Sequence, residues 1–210
     1  MPRGRPPAHT REQVVAAAIK VADAEGLEAL TMRRLAAELG AGVMSLYTYV
    51  KDKDDLVDLM VEQAGEYAGP GPATLLALVK WQRSLMLKHP WMLSALPNRN
   101  LVGPNTLGYL ERGLAALADK PLPGAVKMEI LALLTGFVAG YVANELAQAR
   151  AGVTPLEQVE AHVTQMRAAL ATGAFPELAK VLAEGGTAAQ ADLPDFDRIA
   201  TRMIDGLVRG

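Results

Sequence analysis

The 210-residue sequence contains no cysteine and only three histidines. The lack of cysteine excludes disulfides, thiolate zinc sites and cysteine nucleophiles, and it fits a reducing compartment. His9, His89 and His162 lie far apart in the sequence, and none has paired carboxylates nearby at metal-ligand spacing. A phosphate-binding loop and a nucleophile elbow are also missing. We therefore predict no catalytic residues, no metal and no cofactor.

Long apolar runs and a secretion signal are also missing. A membrane-spanning helix needs about 20 apolar residues in succession, and no stretch provides an unbroken run of that length. The segment from Met1 to Pro7 is basic but is not followed by an apolar core, so it does not resemble a signal peptide. Half of the residues are hydrophobic, without strand-like alternation or an internal repeat. We predict a soluble, cytoplasmic, all-α protein with no membrane contact.

Positive charge is scarce except near the N-terminus. The net charge is −2, which argues against indiscriminate binding of nucleic acid. Residues 1–53 nevertheless hold eight Lys or Arg against six Asp or Glu, whereas residues 54–210 hold thirteen against seventeen. The N-terminal part is therefore the candidate nucleic-acid-binding region.

The stretch from Thr31 to Lys53 has the pattern of two short helices joined by a tight turn. Thr31 is a candidate N-cap, and Gly40 follows the last periodic residue of the first helix. In the second helix one arc is predicted to be core and contains Val43, Leu46, Tyr47 and Val50. The opposite arc is uncharged and contains Met44, Ser45, Thr48 and Tyr49. Hydroxyls and methyls of this kind suit base edges in a major groove, and the flanking Arg and Lys suit phosphates.

This stretch closely resembles the DNA-binding region of the TetR family of transcriptional regulators. The family pattern appears here as Leu30-Thr31, Leu39-Gly40, Leu46-Tyr47, Val50 and Lys51-Asp52-Lys53-Asp54. The alternative, a plain helical hairpin, does not explain this full pattern. The resemblance implies a helix-turn-helix domain followed by a helical-bundle domain for ligand binding and dimerisation.

The predicted organisation has four parts. Residues 1–9 form a basic arm, 10–53 the helix-turn-helix domain, 54–70 a linking helix and 71–210 the ligand-binding and dimerisation domain. Arg3 and Arg5 flank a glycine and suit a narrow minor groove, although a solvated tail is the alternative. The predicted DNA contacts are Arg3, Arg5, Thr31, Arg33, Met44, Ser45, Tyr47, Thr48, Tyr49 and Lys53, with Tyr47 and Lys53 on phosphates.

Helical periods continue to the end of the sequence. Helices are predicted at about 10–26, 73–95 with a bend at Pro90, 104–118, 124–151, 155–172 and 193–208. The helix at 124–151 is apolar on nearly every side, so it needs a second burial partner, although a single-chain core is the alternative. The predicted homodimer interface contains Phe137, Tyr141, Phe196, Ile199, Met203 and Leu207.

The C-terminal domain also carries large, adaptable side chains that suit a ligand cavity. The predicted ligand-binding residues are Trp81, Met86, His89, Trp91, Arg99, Asn105, Met128, Phe137, Asn144 and Met166, and core packing is the alternative for the Met and Trp residues. The segment from His89 to Glu111 resembles the tetracycline-repressor branch. Ala95 and Asn144 stand where that branch has a histidine and an acidic residue, which disfavours a magnesium-drug chelate.

We therefore expect a homodimeric repressor that binds a palindromic double-stranded operator. A small, largely apolar effector would release it, because a ligand that favours one spacing of the two DNA-binding domains weakens DNA binding. A constitutive regulator or activator without an effector, or a helical enzyme of unknown reaction, is the alternative.

Overall fold

The computed structural model describes residues 9–66, 74–97, 99, 102–151, 166, 169–183 and 195–209. In this part of the chain the regular structure is helical and includes no strand, which confirms the predicted all-α class. The chain divides into two compact units, residues 1–139 and 140–210. The predicted domain boundary between residues 70 and 71 and the basic arm lie outside the described residues.

The first unit holds most of the helices. They are α1 (Arg11–Glu25), α2 (Met32–Leu39), α3 (Val43–Leu46), α4 (Lys53–Ala64), α5 (Leu75–Lys88), α6 (Met92–Ala95), α7 (Pro104–Ala116) and the first part of α8 (Gly124–Ala151). Apart from α3 and the end of α4, these bounds agree closely with the sequence prediction, and Pro90 separates α5 from α6 as expected.

Local signals set the ends of the first helices. The Thr10 hydroxyl accepts from the Gln13 amide at 3.2 Å, and the Gln13 side chain accepts from the Thr10 amide at 2.9 Å, so α1 starts with a complete capping box. The Thr31 side chain caps α2 by accepting from the Arg34 amide, and the Asp52 side chain caps α4 by accepting from the Asp55 amide. Gly40 ends α2 with φ 60° and ψ 31°, a left-handed conformation that glycine adopts without strain.

A dense apolar core joins α1, α2, α3 and α4. Its fully buried members come from every one of these helices and from the loops between them, and they include Val14, Ala18, Leu30, Leu35, Leu46 and Met60. These apolar side chains pack closely against one another, and this packing fixes the position of α3. The helix is too short to be stable alone.

Helix α3 is shorter than the sequence pattern predicted. It ends at Leu46 and continues as a turn through Tyr49, so the helical arcs do not extend beyond one turn. Tyr47 is 45% exposed, whereas Tyr49 packs half-buried against the core. The predicted positions of these two tyrosines are therefore reversed, because the period of 3.6 residues applies only inside a helix.

The connection between α5 and α6 attaches both helices to α1. The Asp23 carboxylate of α1 lies 2.8 Å from His89 Nδ1 and also accepts from Trp91 Nε1 at 2.8 Å. Trp91 and Met92 belong to the same buried cluster as the core of α1–α4. Buried polar groups of this kind need a partner, and here Asp23 supplies it to both rings.

Helix α8 approaches α7 closely at one point within the first unit. Leu131 lies against Gly113, where any larger residue would collide with the leucine side chain. Ile130, Leu134 and Val138 are also buried. The segment Gly124–Arg150 is long and apolar enough to cross a membrane by length and composition, a property that it shares with core helices of soluble proteins.

The second unit contains the end of α8, α9 (Pro176–Ala183) and α10 (Phe196–Arg209). Tyr141 and Phe196 form an edge-to-face pair with ring centroids 5.0 Å apart and an interplanar angle of 74°. The last predicted helix is confirmed as α10. Most of the helix predicted at 155–172 lies outside the described residues.

Candidate nucleic-acid interface and ligand cavity

An uncharged surface faces solvent at the second helix of the helix-turn-helix. We call it the recognition surface, and it consists of Gly42, Met44, Ser45, Tyr47 and Thr48, all exposed. Met44 is 79% exposed, an unusual degree for a large apolar side chain. The sequence prediction also included Tyr49, but the core holds that residue and its carbonyl accepts from Arg11 Nε at 2.9 Å.

Two hydroxyls of the recognition surface bond to the backbone beside them. Ser45 Oγ donates to the Gly42 carbonyl at 2.6 Å, and Thr48 Oγ1 donates to the Ser45 carbonyl at 2.6 Å. Such local bonds are common for serine and threonine near helix ends. Each of these hydroxyls therefore uses its single hydrogen in the local bond and keeps only acceptor lone pairs for other partners.

The cationic side chains around this surface differ in whether carboxylates of the same domain already bind them. Arg33 and Lys51 are exposed and have no ion pair within the described part of the chain. Arg34 is bound by Glu25 at 2.7 Å and Glu38 at 3.0 Å, and these hydrogen bonds raise the pKa of its guanidinium. Arg34 therefore stabilises the domain, whereas Arg33 is available to a phosphate.

The other predicted DNA contacts either make hydrogen bonds within the domain or lie outside the described residues. Lys53 Nζ donates to the Leu27 carbonyl at 3.3 Å, so this amine is partly occupied within the domain. Thr31 is exposed, but its hydroxyl already caps α2. Arg3 and Arg5 lie outside the described residues.

A cavity of about 360 Å³ lies among α4, α5, α6, α7 and α8 in the first unit. Its walls are mainly apolar and aromatic, and the lining residues are Val61, Gly65, Trp81, Gln82, Leu85, Met86, Met92, Leu96, Arg99, Asn105, Thr106, Tyr109, Leu110 and Thr135. Trp81, Met86, Arg99 and Asn105 are among the residues that the sequence assigned to a ligand site.

A small polar cluster interrupts the apolar wall. Gln82 Nε2 donates to Thr135 Oγ1 at 3.3 Å, Tyr109 Oη donates to Gln82 Oε1 at 3.3 Å, and the two hydroxyls lie 3.0 Å apart. Burial raises the pKa of Tyr109, and the bond with Thr135 opposes this only in part. The Trp81 and Tyr109 rings lie 6.2 Å apart with a tilt of 31°.

Three residues at the edge of the cavity also hold helix α4. Arg99 Nη2 donates to Asp54 at 2.7 Å, and Arg99 Nη1 donates to Asp58. Burial opposes the charge of Arg99, but the hydrogen bonds to Asp58 and Asp54 outweigh it and raise its pKa. The Arg99 side chain is 19% exposed, but Asp54 and Asp58 are 86% and 50% exposed, so solvent screens both ion pairs.

The second contact with α4 involves the first turn of α7. The Glu62 carboxylate accepts from the amides of Asn105 at 2.8 Å and Thr106 at 3.2 Å and from the Thr106 hydroxyl. Asn105 Nδ2 also donates to the Glu62 carbonyl at 2.8 Å. A carboxylate at a helix N-terminus is favoured by the helix dipole and satisfies amides that have no partner inside the helix.

Several residues that the sequence assigned to the ligand site lie elsewhere. His89 and Trp91 are buried against Asp23 and the α1–α4 core rather than on the cavity wall. Met128 is 43% exposed on α8, and Phe137 does not line the cavity. Asn144 and Met166 belong to the second unit, and their assignment stays a prediction.

The sequence interpretation missed the residues that give the cavity its polar character and its link to α4. Gln82, Tyr109 and Thr135 lie on three different helices and meet only in the folded chain. The acids Asp54, Asp58 and Glu62 did carry a signal, since their spacing of four residues places them on one face of α4. Within the described residues no group of three or more metal-ligating side chains occurs.

The predicted dimer-interface residues are partly buried in the chain itself. Phe196 is buried, and Tyr141 contacts its ring. Phe137 in the first unit and Ile199, Met203 and Leu207 in the second are half-buried. Their contact with a second copy stays a prediction.

Comparison with known proteins gives the family. The family model for bacterial regulatory proteins of the tetR family matches residues 14–60, and the model for the tetracyclin repressor-like C-terminal domain matches residues 72–209. The chain belongs to the TetR family. It is therefore a helix-turn-helix, DNA-binding transcriptional regulator. Membership of this family points to the regulation of transcription rather than to enzymatic catalysis.

Relatives within the TetR family match nearly the whole chain. The HTH-type transcriptional repressor DrrR1 of Streptomyces coeruleorubidus is 35% identical over 220 positions, covering 98% of this chain and 79% of the relative. Apo ActR from Streptomyces coelicolor has a TM-score of 0.73 and 27% identity, over 99% of this chain and 98% of ActR. ActR in complex with (S)-DNPA has a TM-score of 0.74 and 26% identity, and the match covers 98% of this chain and 100% of ActR. ActR in complex with actinorhodin has a TM-score of 0.71 and 27% identity, and the match covers 96% of this chain and 98% of ActR.

Proposed function

We propose that this TetR-family protein is a homodimeric transcriptional repressor that a small, largely apolar effector releases from a two-fold operator. The effector would bind in the cavity of about 360 Å³, and the operator would bind at the recognition surface. A cytoplasmic location is part of the same proposal, since both DNA and metabolites are accessible there.

The DNA-binding part of the proposal relies on surface chemistry. The recognition surface is uncharged and carries hydroxyls and an apolar side chain, which suits base edges in a major groove. Arg33 and Lys51 flank it and are exposed, as phosphate contacts need to be. Affinity from so few cations is modest, so two copies of the surface on one operator are needed for tight binding.

The dimer part of the proposal relies on α8. Ala132, Leu133 and Gly136 of this helix are exposed, and Leu133 is 51% exposed. Small and apolar residues on one exposed helix face permit close approach of a partner helix, and a two-fold pair of such faces gives a closed dimer. The name of DrrR1 supports the assignment as a repressor.

The effector part of the proposal relies on the cavity. Its volume lies within the range of about 300–1,000 Å³ that is usual for small-molecule sites. The polar cluster of Gln82, Tyr109 and Thr135 satisfies its own hydrogen bonds, so an apolar molecule can enter without leaving these groups unpaired. The ActR complexes with (S)-DNPA and actinorhodin support small-molecule binding by this kind of chain.

One observation carries the coupling between the two sites. Arg99, Asn105 and Thr106 line the cavity, and the same residues bind the acids of α4. Helix α4 in turn contributes Leu56, Val57 and Met60 to the core that positions the recognition surface. A molecule that moves these contacts must therefore shift the equilibrium between positions of α4, provided that it binds the two positions with different affinity.

The proposal is tested with an operator selected from random DNA and with compounds that raise the melting temperature of the protein. A stabilising compound should weaken operator binding, and Glu62→Gln should reduce this effect without abolishing binding of either partner. Glu111→Gln, an exposed acid on α7, is the matched control and should behave as wild type. If stabilising compounds leave operator affinity unchanged, the protein is a constitutive regulator or an activator that acts without an effector.

A further inference from the structure

The exposed hydroxyls of the recognition surface have only one hydrogen-bonding role left. Ser45 Oγ lies 2.6 Å from the Gly42 carbonyl oxygen, and Thr48 Oγ1 lies 2.6 Å from the Ser45 carbonyl oxygen. A carbonyl oxygen has no hydrogen, so in both bonds the hydroxyl is the donor. Each hydroxyl has a single hydrogen, which leaves only acceptor lone pairs for an external group.

This role restricts which base groups the two residues can bind. In the major groove the hydrogen-bond donors are the amino groups of adenine and cytosine, whereas guanine O6 and N7 and thymine O4 are acceptors. A hydroxyl that could rotate freely would bind either kind. Ser45 and Thr48 match the amino groups, because donation to guanine or thymine would require breaking a 2.6 Å local bond.

Met44 decides between the two amino-bearing base pairs. Its side chain is 79% exposed beside these hydroxyls and has no polar atom that can donate. An A·T pair presents an amino group and the thymine methyl in the same groove, whereas a G·C pair presents an amino group without a methyl. An exposed apolar side chain gains from contact with the methyl and gains nothing comparable from G·C.

We propose that Ser45 and Thr48 accept hydrogen bonds from adenine N6 amino groups and that Met44 packs on thymine methyls, so that each half-site is centred on A·T pairs. This inference rests on the DNA-binding function proposed above. It assigns no base contact to Tyr49, which the core holds, and it leaves Tyr47 for the backbone of the DNA.

The test uses an operator selected from random DNA and altered one atom group at a time. Replacing adenine by nebularine removes the N6 amino group, replacing it by 7-deazaadenine removes the N7 acceptor, and replacing thymine by uracil removes the methyl. Affinities are measured with wild type, Thr48→Val, Thr48→Ser and Met44→Ala. Thr172→Val is the matched control, because Thr172 makes the same kind of bond, at 2.6 Å to the Ala169 carbonyl, and is not part of the helix-turn-helix.

We expect nebularine at one position of a single half-site to weaken binding by wild type, Thr48→Ser and Thr172→Val about three- to tenfold, the value of one neutral hydrogen bond. The same replacement should not weaken Thr48→Val further, and 7-deazaadenine should have no effect. Uracil at a neighbouring pair should weaken wild type but not Met44→Ala. Unfolding curves of the variants exclude a general loss of structure.

Three results would overturn the inference while leaving the repressor proposal intact. One is a selected half-site with only G·C pairs at its centre. Another is an equal nebularine effect on wild type and Thr48→Val, and the third is sensitivity to 7-deazaadenine in place of nebularine. A protein that selects no sequence at all would instead contradict the proposed repressor function, and this inference with it.

Discussion

The core of α1–α4 and the region of α5–α8 around the cavity are packed in opposite ways. In the core, Val14, Leu30, Leu35, Leu46 and Met60 have no exposed surface. Around the cavity, the helices leave about 360 Å³ unfilled. Apolar side chains that face open space lose packing contacts, so this region is packed less tightly than the core. The dense region gives the recognition surface a fixed shape, and the open region can respond to what occupies it.

Helix α4 belongs to both regions at once. One face buries Leu56, Val57 and Met60 in the dense core. Another face carries Asp54, Asp58 and Glu62, which bind Arg99 and the first turn of α7 beside the cavity. The comparison therefore predicts that substitutions in the core affect stability most, and that those on the acid face affect communication between the sites.

The largest effect is expected from truncating a core leucine. Leu46→Ala should lower the free energy of unfolding by about 2–5 kcal/mol, because a fully buried side chain leaves a new cavity. Leu110→Ala, at a half-buried residue of the cavity wall that is not part of this core, should cost about 1–2 kcal/mol. Urea unfolding at constant slope measures both. Equal losses would show that the cavity region is packed as densely as the core.

A smaller effect is expected at the contact between α4 and α7. A Cβ at Gly103 would overlap the Glu62 carboxylate, so Gly103→Ala should displace Glu62 and lower stability by about 1–3 kcal/mol. At Gly108, inside α7, an added Cβ would lie 3.4 Å from the Arg112 guanidinium, an ordinary contact. Gly108→Ala should therefore be neutral or stabilising by up to about 1 kcal/mol. If the two variants unfold alike, the Glu62 contact has no energetic role.

Sequence patterns were sufficient for the dense region because its signals are local. Thr31 and Gly40 act within one turn of α2, and both ends of this helix are found where they were predicted. Tyr47 and Tyr49 were placed on the wrong sides, because a one-turn helix followed by a turn has no continuing period.

The open region was only partly predictable. Four residues that were assigned to a ligand site do line the cavity: Trp81, Met86, Arg99 and Asn105. This agreement is not specific, because many large or polar residues on neighbouring helices could equally have lined a cavity. Gln82 and Thr135 gave no signal, since their bond joins residues far apart in sequence. His89 and Trp91 attach to Asp23 instead, a contact that depends on the packing of α1 against α6.

A modest effect is expected from the polar cluster. Tyr109→Phe removes the hydroxyl that donates to Gln82, so stability at neutral pH should fall by about 0.5–1.5 kcal/mol. Thr106 lies in the same helix at the edge of the cavity, and Thr106→Ser retains its hydroxyl and serves as the control. An unchanged unfolding curve for Tyr109→Phe would show that water replaces the lost bond.

The smallest effect concerns alkaline pH. Because burial raises the pKa of Tyr109 in the folded protein, the native state favours the neutral phenol. The neutral phenol of Tyr109 contributes fully to stability below the pKa that a tyrosine has in the unfolded chain, about 10. This contribution is lost as the pH rises towards the higher pKa of Tyr109 in the folded protein. The difference in stability between wild type and Tyr109→Phe should therefore shrink above about pH 10. A difference that stays constant with pH would contradict the assigned burial.

The central claim is that the cavity and the recognition surface are coupled through α4, and affinity for the effector with and without operator tests it directly. The account predicts that operator-bound protein binds the effector more weakly, by the same factor by which the effector weakens operator binding, typically about 5–150-fold. Glu62→Gln should reduce both factors equally. An effector that binds free and operator-bound protein with the same dissociation constant would contradict the account.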